Sequence, residues 1–261
     1  MRLPSAPLLE VVFELRWQVH STGDVFGYDP GFAAFSKSFE QAMNASGYKA
    51  HERVASPGPS FVHRIVNRYR KQEPFPLVQI GHGIFACNVS TEYEWTDFRK
   101  MIAQGVQDVL KCYPHTAVTP LVPSLFELRY VDVFNEELVG DQSWQNFLAK
   151  CSKMKFTTLP YLESVTVPGA DRVNFGLRQD LKDADLGHFE LQIANGISSG
   201  KPSILMTSKV IKAKFGDAAP ALASLEALVP KWADAAHTVN SEFFKAFVDD
   251  ALMAKFKEKK A

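Results

Sequence analysis

One five-residue pattern occurs twice in this chain, as FELRW at 13–17 and as FELRY at 126–130. In both copies apolar and charged residues alternate, which is the period of a β-strand with one buried and one polar face. The first copy belongs to a longer alternation that runs from Leu9 to Val19. The repeat therefore predicts two halves of similar layout that share one core, with this strand opening each half.

The charges in the two copies favour a specific pairing. Glu14 and Arg16 share one strand face, as do Glu127 and Arg129. If the two strands pair antiparallel about a local two-fold axis, Glu14 faces Arg129 and Arg16 faces Glu127. Opposite charges across such a pair contribute roughly 0.2–1 kcal/mol each, and a slip of one residue destroys the match. We predict a structural charge ladder between the halves; a less conservative alternative is that this face lines a pocket between them.

The segment PHTAVTPLVPS at 114–124 is the internal boundary that the sequence favours, and it divides the chain into an N-terminal half, 1–118, and a C-terminal half, 119–261. Each half has the order strand, helix, further strands, closing helix, and its short connections favour antiparallel pairing. We predict an α+β fold of two similar strand–helix–strands–helix halves in one compact unit, with antiparallel or mixed sheets and a long C-terminal helix. Internal duplication and a chance match are both open explanations of the repeat.

Local signals in the first half place its elements. Asp29 is expected to cap a helix that has Pro30 at its first position and ends before Gly47. TEYE at 91–94 is a capping box for the second helix. LVQI and IFACNV flank GHG at 81–83 and predict a hairpin or a kinked strand pair. Two apolar stripes are expected to face the core: Phe32, Phe35, Phe39 and Met43, and Trp95, Phe98, Ile102, Val106 and Val109.

The second half is expected to contain a three-stranded meander and a helical end. Val173, Phe175 and Leu177 are predicted to pair with Phe189, Leu191 and Ile193 across the turn KDADLG, and Ser203–Lys212 adds the third strand. Near the C-terminus, apolar residues recur at spacings of three and four. Pro230 cannot donate a backbone hydrogen bond, so we expect a break or a sharp kink there, with 231–256 as the longest element.

Composition excludes several classes of protein. Lys plus Arg and Asp plus Glu are each 29, so zero net charge removes the whole-protein argument for a nucleic-acid or anionic-membrane partner. Prolines and glutamates interrupt the N-terminal apolar run, and no window approaches about 18 apolar residues, so we expect a cytoplasmic protein without signal peptide or membrane span. Cys87, Cys112 and Cys151 are far apart and odd in number, which is atypical of a disulfide framework or a zinc site.

Most motifs of familiar enzymes are absent. The chain has no GxGxxG, Walker loop or HExxH, and none of its seven histidines lies three or four residues from another. His237 is expected to be a packed, hydrogen-bonded residue, and Cys87 a small buried hydrophobe. We predict no catalytic residue, no metal ligand and no cofactor.

One basic stretch, FVHRIVNRYRKQ at 61–72, is a candidate binding element. On a strand, Arg64, Arg68 and Arg70 would share a face that can bind the phosphates of a nucleic acid or an acidic protein surface. The alternative is a solvated edge strand, whose charges discourage aggregation.

Four segments carry a family resemblance: APLLEVVFELRW, FPLVQIGHGIFACN followed by a Tyr-x-Trp helix, FELRYVDVF, and ADAAHTVNSEFFKAFV. In this order they resemble a sporadically distributed family of uncharacterised prokaryotic proteins that open with a Pro-hydrophobic-x-Glu-Val-x-Phe strand. The resemblance covers nearly the whole chain and brings no catalytic residue, cofactor or activity with it. It implies an accessory gene, of the kind found in mobile, defence or toxin–antitoxin loci.

Absent catalytic spacing, twenty Phe residues and the resemblance together favour a non-enzymatic interaction or regulatory protein. Its partner would be another protein or a second copy of itself, within an accessory prokaryotic system of the defence or toxin–antitoxin type. Two alternatives stay open at this point. One is a nucleic-acid-binding protein that uses the basic strand, and the other is an enzyme or small-ligand binder with a site between the halves.

Overall fold

Alternating apolar residues build nine strands in a computed structural model of the chain, which describes residues 6–19, 29–54, 62–71, 74–90, 93–116, 121–139, 144–153, 174–213, 215 and 222–257. The strands are β1 (Leu8–Trp17), β2 (Ala50–Arg53), β3 (Ile65–Arg70), β4 (Leu77–Gly81), β5 (Ile84–Val89), β6 (Pro123–Phe134), β7 (Asn174–Asp180), β8 (His188–Ser198) and β9 (Lys201–Lys212). The helices are α1 (Phe32–Ala45), α2 (Trp95–Cys112), α3 (Glu136–Val139), α4 (Trp144–Cys151), α5 (Leu222–Phe247) and α6 (Asp250–Lys257).

All nine strands belong to one sheet, in the order β2-β3-β4-β5-β1-β6-β9-β8-β7. Every neighbouring pair is antiparallel. The five strands that come first along the chain occupy one side of the sheet, and the other four occupy the other side. The two copies of the repeated pattern, β1 and β6, therefore meet at the centre. The α+β class and the antiparallel pairing are confirmed.

A layer of helices packs on one face of this sheet. Helix α2 contacts both α1 and α5, while α5 also contacts β6 and β9. The apolar face of β1 lies beneath this layer: Trp17 packs edge-on against Phe35 of α1, and Phe13 packs against Trp232 of α5. The predicted stripes are buried as expected, except that Trp95 is only half-buried. Burial of these rings is the main favourable contribution to folding.

The start of α1 differs from the prediction. Helix α1 begins at Phe32, with Gly31 at the N-cap position, two residues later than Pro30. The reason is a turn upstream of the helix, because the Asp29 carboxylate accepts a hydrogen bond from the Gly31 amide at 2.9 Å. The end of the helix agrees: Gly47 follows it with a φ of 83°, a value that favours glycine. The predicted capping box at 91–94 is wrong, because Glu94 is itself the N-cap residue, in extended backbone, and α2 begins at Trp95; Thr91 lies outside the described residues.

The predicted break at Pro230 is wrong. Helix α5 runs from Leu222 through Pro230 to Phe247. A proline removes one backbone hydrogen bond, and here burial of the neighbouring Val229, Trp232 and Ala233 against the sheet outweighs that loss. The helical region is interrupted further on, where the Asp249 carboxylate accepts from the Leu252 amide at 2.7 Å and starts α6.

Replacing Gly187 by alanine is expected to lower the free energy of unfolding by about 1–3 kcal/mol. Gly187 precedes β8 with a φ of 92°, and a Cβ atom there would come within 2.0 Å of the Ile211 carbonyl oxygen. Urea unfolding followed by circular dichroism measures the change. Gly176→Ala is the matched control, because Gly176 on β7 has no atom within 4 Å of the added methyl group. Equal stability of the Gly187→Ala variant and the unmodified protein would contradict the prediction.

Candidate functional site on the polar face of the sheet

The face of the sheet opposite α1, α2 and α5 carries many polar side chains, interspersed with buried apolar ones such as Val12, Ile84 and Ile211. Strand alternation and register place a row of charged and amide side chains there, across the full width of the sheet. We call it the polar face. Its members include Glu10, Glu14, Arg16, Glu52, Arg68, Arg70, Gln79, Asn88, Glu127, Arg129, Arg178, Asp180, His188, Glu190, Gln192, Thr207 and Lys209.

At the centre of the polar face, β1 and β6 pair antiparallel as predicted, but in a register that differs by two residues. Glu14 lies opposite Glu127, and Val12 lies opposite Arg129. The predicted ladder, with each glutamate directly across from an arginine, is therefore wrong. A shift of two residues keeps every side chain on its own face, so alternation alone does not distinguish the two registers.

The core explains which register forms. In the observed pairing Phe13 lies opposite Leu128, and Leu15 lies opposite Phe126. Each ring thus has a smaller aliphatic neighbour across the pair, and Trp232 packs against both Phe13 and Phe126. The close packing of these rings outweighs the modest contribution of surface charge pairs.

The four predicted residues nevertheless form one ion-paired cluster. Arg16 donates to Glu14 Oε2 from Nη2 at 2.5 Å and from Nε at 3.0 Å. Arg129 donates from Nη1 to Glu127 Oε1 at 3.1 Å and from Nη2 to Glu14 Oε1 at 3.5 Å. Each arginine thus pairs within its own strand, and Arg129 adds the link between the two strands.

The acids of this cluster are buried and the bases are not. The side chains of Glu14 and Glu127 are 11% and 7% exposed, against 31% and 29% for Arg16 and Arg129. Loss of water and the neighbouring charge of Glu14 raise the pKa of Glu127, while the nearby cations act in the opposite direction. The outward-facing part of the cluster is therefore cationic.

Hydrogen bonds and ion pairs continue from the centre towards both edges. On the side of the first half, Arg68 donates to Gln79 at 3.1 Å, Gln79 donates to Asn88 at 3.1 Å, and Asn88 donates to Glu10. On the side of the second half, Lys209 lies 3.5 Å from the carboxylate of Glu190, which also contacts His188. The polar face is thus an extended network of both charge signs.

The basic stretch contributes two of its three arginines to this face. Arg68 and Arg70 lie 3.8 Å and 3.0 Å from the carboxylate oxygens of Glu52 on the edge strand β2. Arg64 precedes β3, and a register irregularity between Ile65 and Asn67 separates it from the alternation of the other two. The structure does not bring the three arginines onto one regular strand face.

A second polar cluster lies beneath the helix layer and was missed by the sequence analysis. The Tyr130 hydroxyl lies 2.6 Å from His237 Nδ1 and 2.8 Å from the Tyr93 hydroxyl, and Trp95 stacks on the His237 ring at 4.2 Å. Burial lowers the pKa of His237 to about 4, so its ring is neutral at pH 7. His237 is packed and hydrogen-bonded, as the sequence predicted.

Asp132 lies on the same sheet face as Tyr130 and is 5% exposed. Burial raises the pKa of its carboxyl to about 7. The segment FELRYVDVF contained a signal for it, because alternation from Phe126 places Asp132 at an apolar position. Cys87 is also fully buried, and burial raises the pKa of its thiol, which agrees with the predicted inert role.

Within the described ranges, no group of three or more His, Cys, Asp or Glu side chains is placed to hold a metal ion. None of the helices described here has a stretch that is both long and apolar enough to cross a bilayer. Comparison of the chain with models of protein families and with curated proteins finds no match.

Proposed function

We propose that this is a non-enzymatic interaction or regulatory protein that binds a protein partner through its polar face. The observation that carries the proposal is the network of paired charges across the width of the sheet, on the face opposite α1, α2 and α5. Exposed ion pairs contribute only about 0–1 kcal/mol each to stability, and pairs with buried acids, such as those of Glu14 and Glu127, add little net because loss of water offsets their attraction. The network therefore adds little to the free energy of folding, although it is wide. Charges of both signs in a fixed arrangement do supply specificity in protein recognition.

The mixture of signs favours a protein over a nucleic acid as the partner. A phosphate backbone is bound by surfaces on which Lys and Arg predominate, and each phosphate contact adds to the salt dependence of binding. Here Glu52 lies beside both Arg68 and Arg70 and offsets part of their charge, and Glu190 lies beside Lys209. The basic strand is therefore a weaker candidate for phosphate binding than its sequence suggested.

Charge reversal at Lys209 is expected to abolish partner binding. The test is affinity purification of the tagged protein from its native host, comparing the unmodified chain with Lys209→Glu on the polar face and Lys100→Glu on α2. Both lysines carry the same charge, but Lys100 projects from the helix layer and is 71% exposed. We expect the unmodified protein and Lys100→Glu to retain one common protein, and Lys209→Glu to retain at least tenfold less of it.

Two outcomes would contradict this proposal. One is that no protein is retained by the unmodified chain, and the other is that all three forms retain the same protein equally. Thermal unfolding of each variant shows whether a loss reflects the surface or the fold.

Resemblance to the sporadically distributed prokaryotic family extends the proposal to a biological setting. We propose that the protein acts within an accessory system of the defence or toxin–antitoxin type, and that a neighbouring gene encodes its partner. Co-expression of the chain with each adjacent gene product, followed by size-exclusion chromatography, tests this. A stable complex with one of them is the expected result.

Internal duplication of 1–118 and 119–261 is part of the same proposal. Its support is the repeat itself, since the residue opposite Glu14 is Glu127, its counterpart in the other copy. A local two-fold axis through that pair would exchange Arg16 with Arg129. The neighbouring strands fit this two-fold relation, because β5 lies next to β1 just as β9 lies next to β6. Duplication would place two related arginines on either side of one central point of the polar face.

A further inference from the structure

We infer that the centre of the polar face binds an acidic segment of the partner protein, whose carboxylates are held by Arg16 and Arg129. This inference rests on the proposed function and names the chemistry of the partner.

Both arginines converge on one carboxylate. Arg16 contacts Oε2 of Glu14 at 2.5 Å, and Arg129 contacts Oε1 of the same side chain at 3.5 Å. Glu14 is buried beneath them, while each arginine side chain is close to one-third exposed. A ligand that approaches the polar face at this point therefore meets two adjacent cations before it meets the acids.

Each guanidinium keeps hydrogen-bond donors for a ligand. Arginine has five N–H donors in a planar fork that matches the two oxygens of a carboxylate. The contacts described above use Nε and Nη2 of Arg16, and Nη1 and Nη2 of Arg129. Nη1 of Arg16 and Nε of Arg129 make no hydrogen bond within the part of the chain that the structure describes.

The surroundings favour a short acidic segment over a nucleic acid. The nearest other bases of the polar face, Lys209 and Arg68, are already paired with Glu190 and Glu52. The free donors of Arg16 and Arg129 therefore lie among paired acids and bases, which is not the continuous positive track that a phosphate backbone follows. A carboxylate-rich peptide can be bound by two adjacent guanidinium groups alone.

The test uses a fluorescein-labelled twelve-residue peptide of alternating Glu and Gly, with binding followed by anisotropy at 50 and 300 mM NaCl. The main variant is Arg16→Gln, Arg129→Gln, Glu14→Gln and Glu127→Gln together, so that no buried carboxylate loses its cation. Removal of the two acids alone would strengthen the binding of an anion, so weaker binding by this variant reports the loss of the two arginines. The matched control is Arg99→Gln, which changes an ion-paired, part-exposed arginine on α2, outside the polar face.

We expect the unmodified protein and Arg99→Gln to bind the peptide equally, and the fourfold variant to bind at least tenfold more weakly. If the fourfold variant fails to fold, the double variant Arg16→Lys with Arg129→Lys replaces it. This variant keeps both positive charges but loses the planar guanidinium donors, and we expect it to bind the peptide at least threefold more weakly. Higher salt should weaken binding of the peptide.

Absence of binding to the unmodified chain overturns the inference, as does equal binding by the fourfold or the lysine variant. Tighter binding of a DNA duplex than of the peptide at the same salt concentration also overturns it. The two proposals fail separately: if Lys209→Glu loses the partner while no form binds the peptide, the proposed function stands and only the acidic-segment inference is overturned.

Discussion

Replacing Trp232 by alanine is expected to lower the free energy of unfolding by about 3–5 kcal/mol, the usual cost of removing a buried tryptophan. Trp232 is 4% exposed and lies over the central strand pair, with its ring centroid 6.5 Å from that of Phe13 and 5.5 Å from that of Phe126. Its indole N–H donates to the Leu186 carbonyl at 3.2 Å. The substitution therefore leaves a cavity between α5 and both central strands.

Urea unfolding monitored by far-ultraviolet circular dichroism measures this effect. Trp232→Phe is the first control, since it keeps an aromatic ring. Its free energy of unfolding should fall by only about 1 kcal/mol, because only the indole hydrogen bond is lost. Trp95→Ala is the second, because Trp95 is half-buried and its loss should leave a smaller cavity. A loss below about 1 kcal/mol for Trp232→Ala would show that this ring does not hold the two central strands together.

Asp132→Asn is expected to stabilise the protein above pH 7 by roughly 2–4 kcal/mol. The carboxyl has an ordinary pKa of 3.8 and a pKa of about 7 in the fold, where burial disfavours its charge. The folded chain therefore holds a proton that the unfolded chain releases. The stability this group contributes is fully present below about pH 4 and is lost as pH rises to about 7, by about 1.4 kcal/mol for each pH unit.

Unfolding free energies measured from pH 4 to pH 8 test this sign. The unmodified protein should lose stability over this range relative to Asp132→Asn, and the two should be closest at pH 4. Asp97→Asn is the control, because Asp97 is 75% exposed on α2 and its neutralisation should leave the pH profile unchanged. Parallel profiles for Asp132→Asn and the unmodified protein would mean that this carboxyl is hydrated in the fold.

Local signals were sufficient for many of the elements. The alternation of β1, the hairpin of β4 and β5 around GHG, and the glycine after α1 were predictable because period and turn chemistry are encoded within a few neighbouring residues. The apolar stripes of α1 and α2 were predictable for the same reason, since their spacing already defines the buried face.

Signals that compete with tertiary packing were misleading. Pro230 predicts the end of a helix when considered alone, yet α5 continues through it because buried neighbours on both sides pack against the sheet. The continuation of a helix through a proline is decided by the free energy of burying its neighbours, which cannot be read from the local sequence.

The amino-acid sequence by itself determined which residues belong to the centre of the sheet: the repeated pattern identified Glu14, Arg16, Glu127 and Arg129, and their strands do pair antiparallel. Only the tertiary structure decided how they meet. A two-residue shift preserves the face of every side chain, so alternation permits either register, and the packing of Phe13 and Phe126 against Trp232 selects one. That selection buries two acids side by side and brings both arginines onto Glu14.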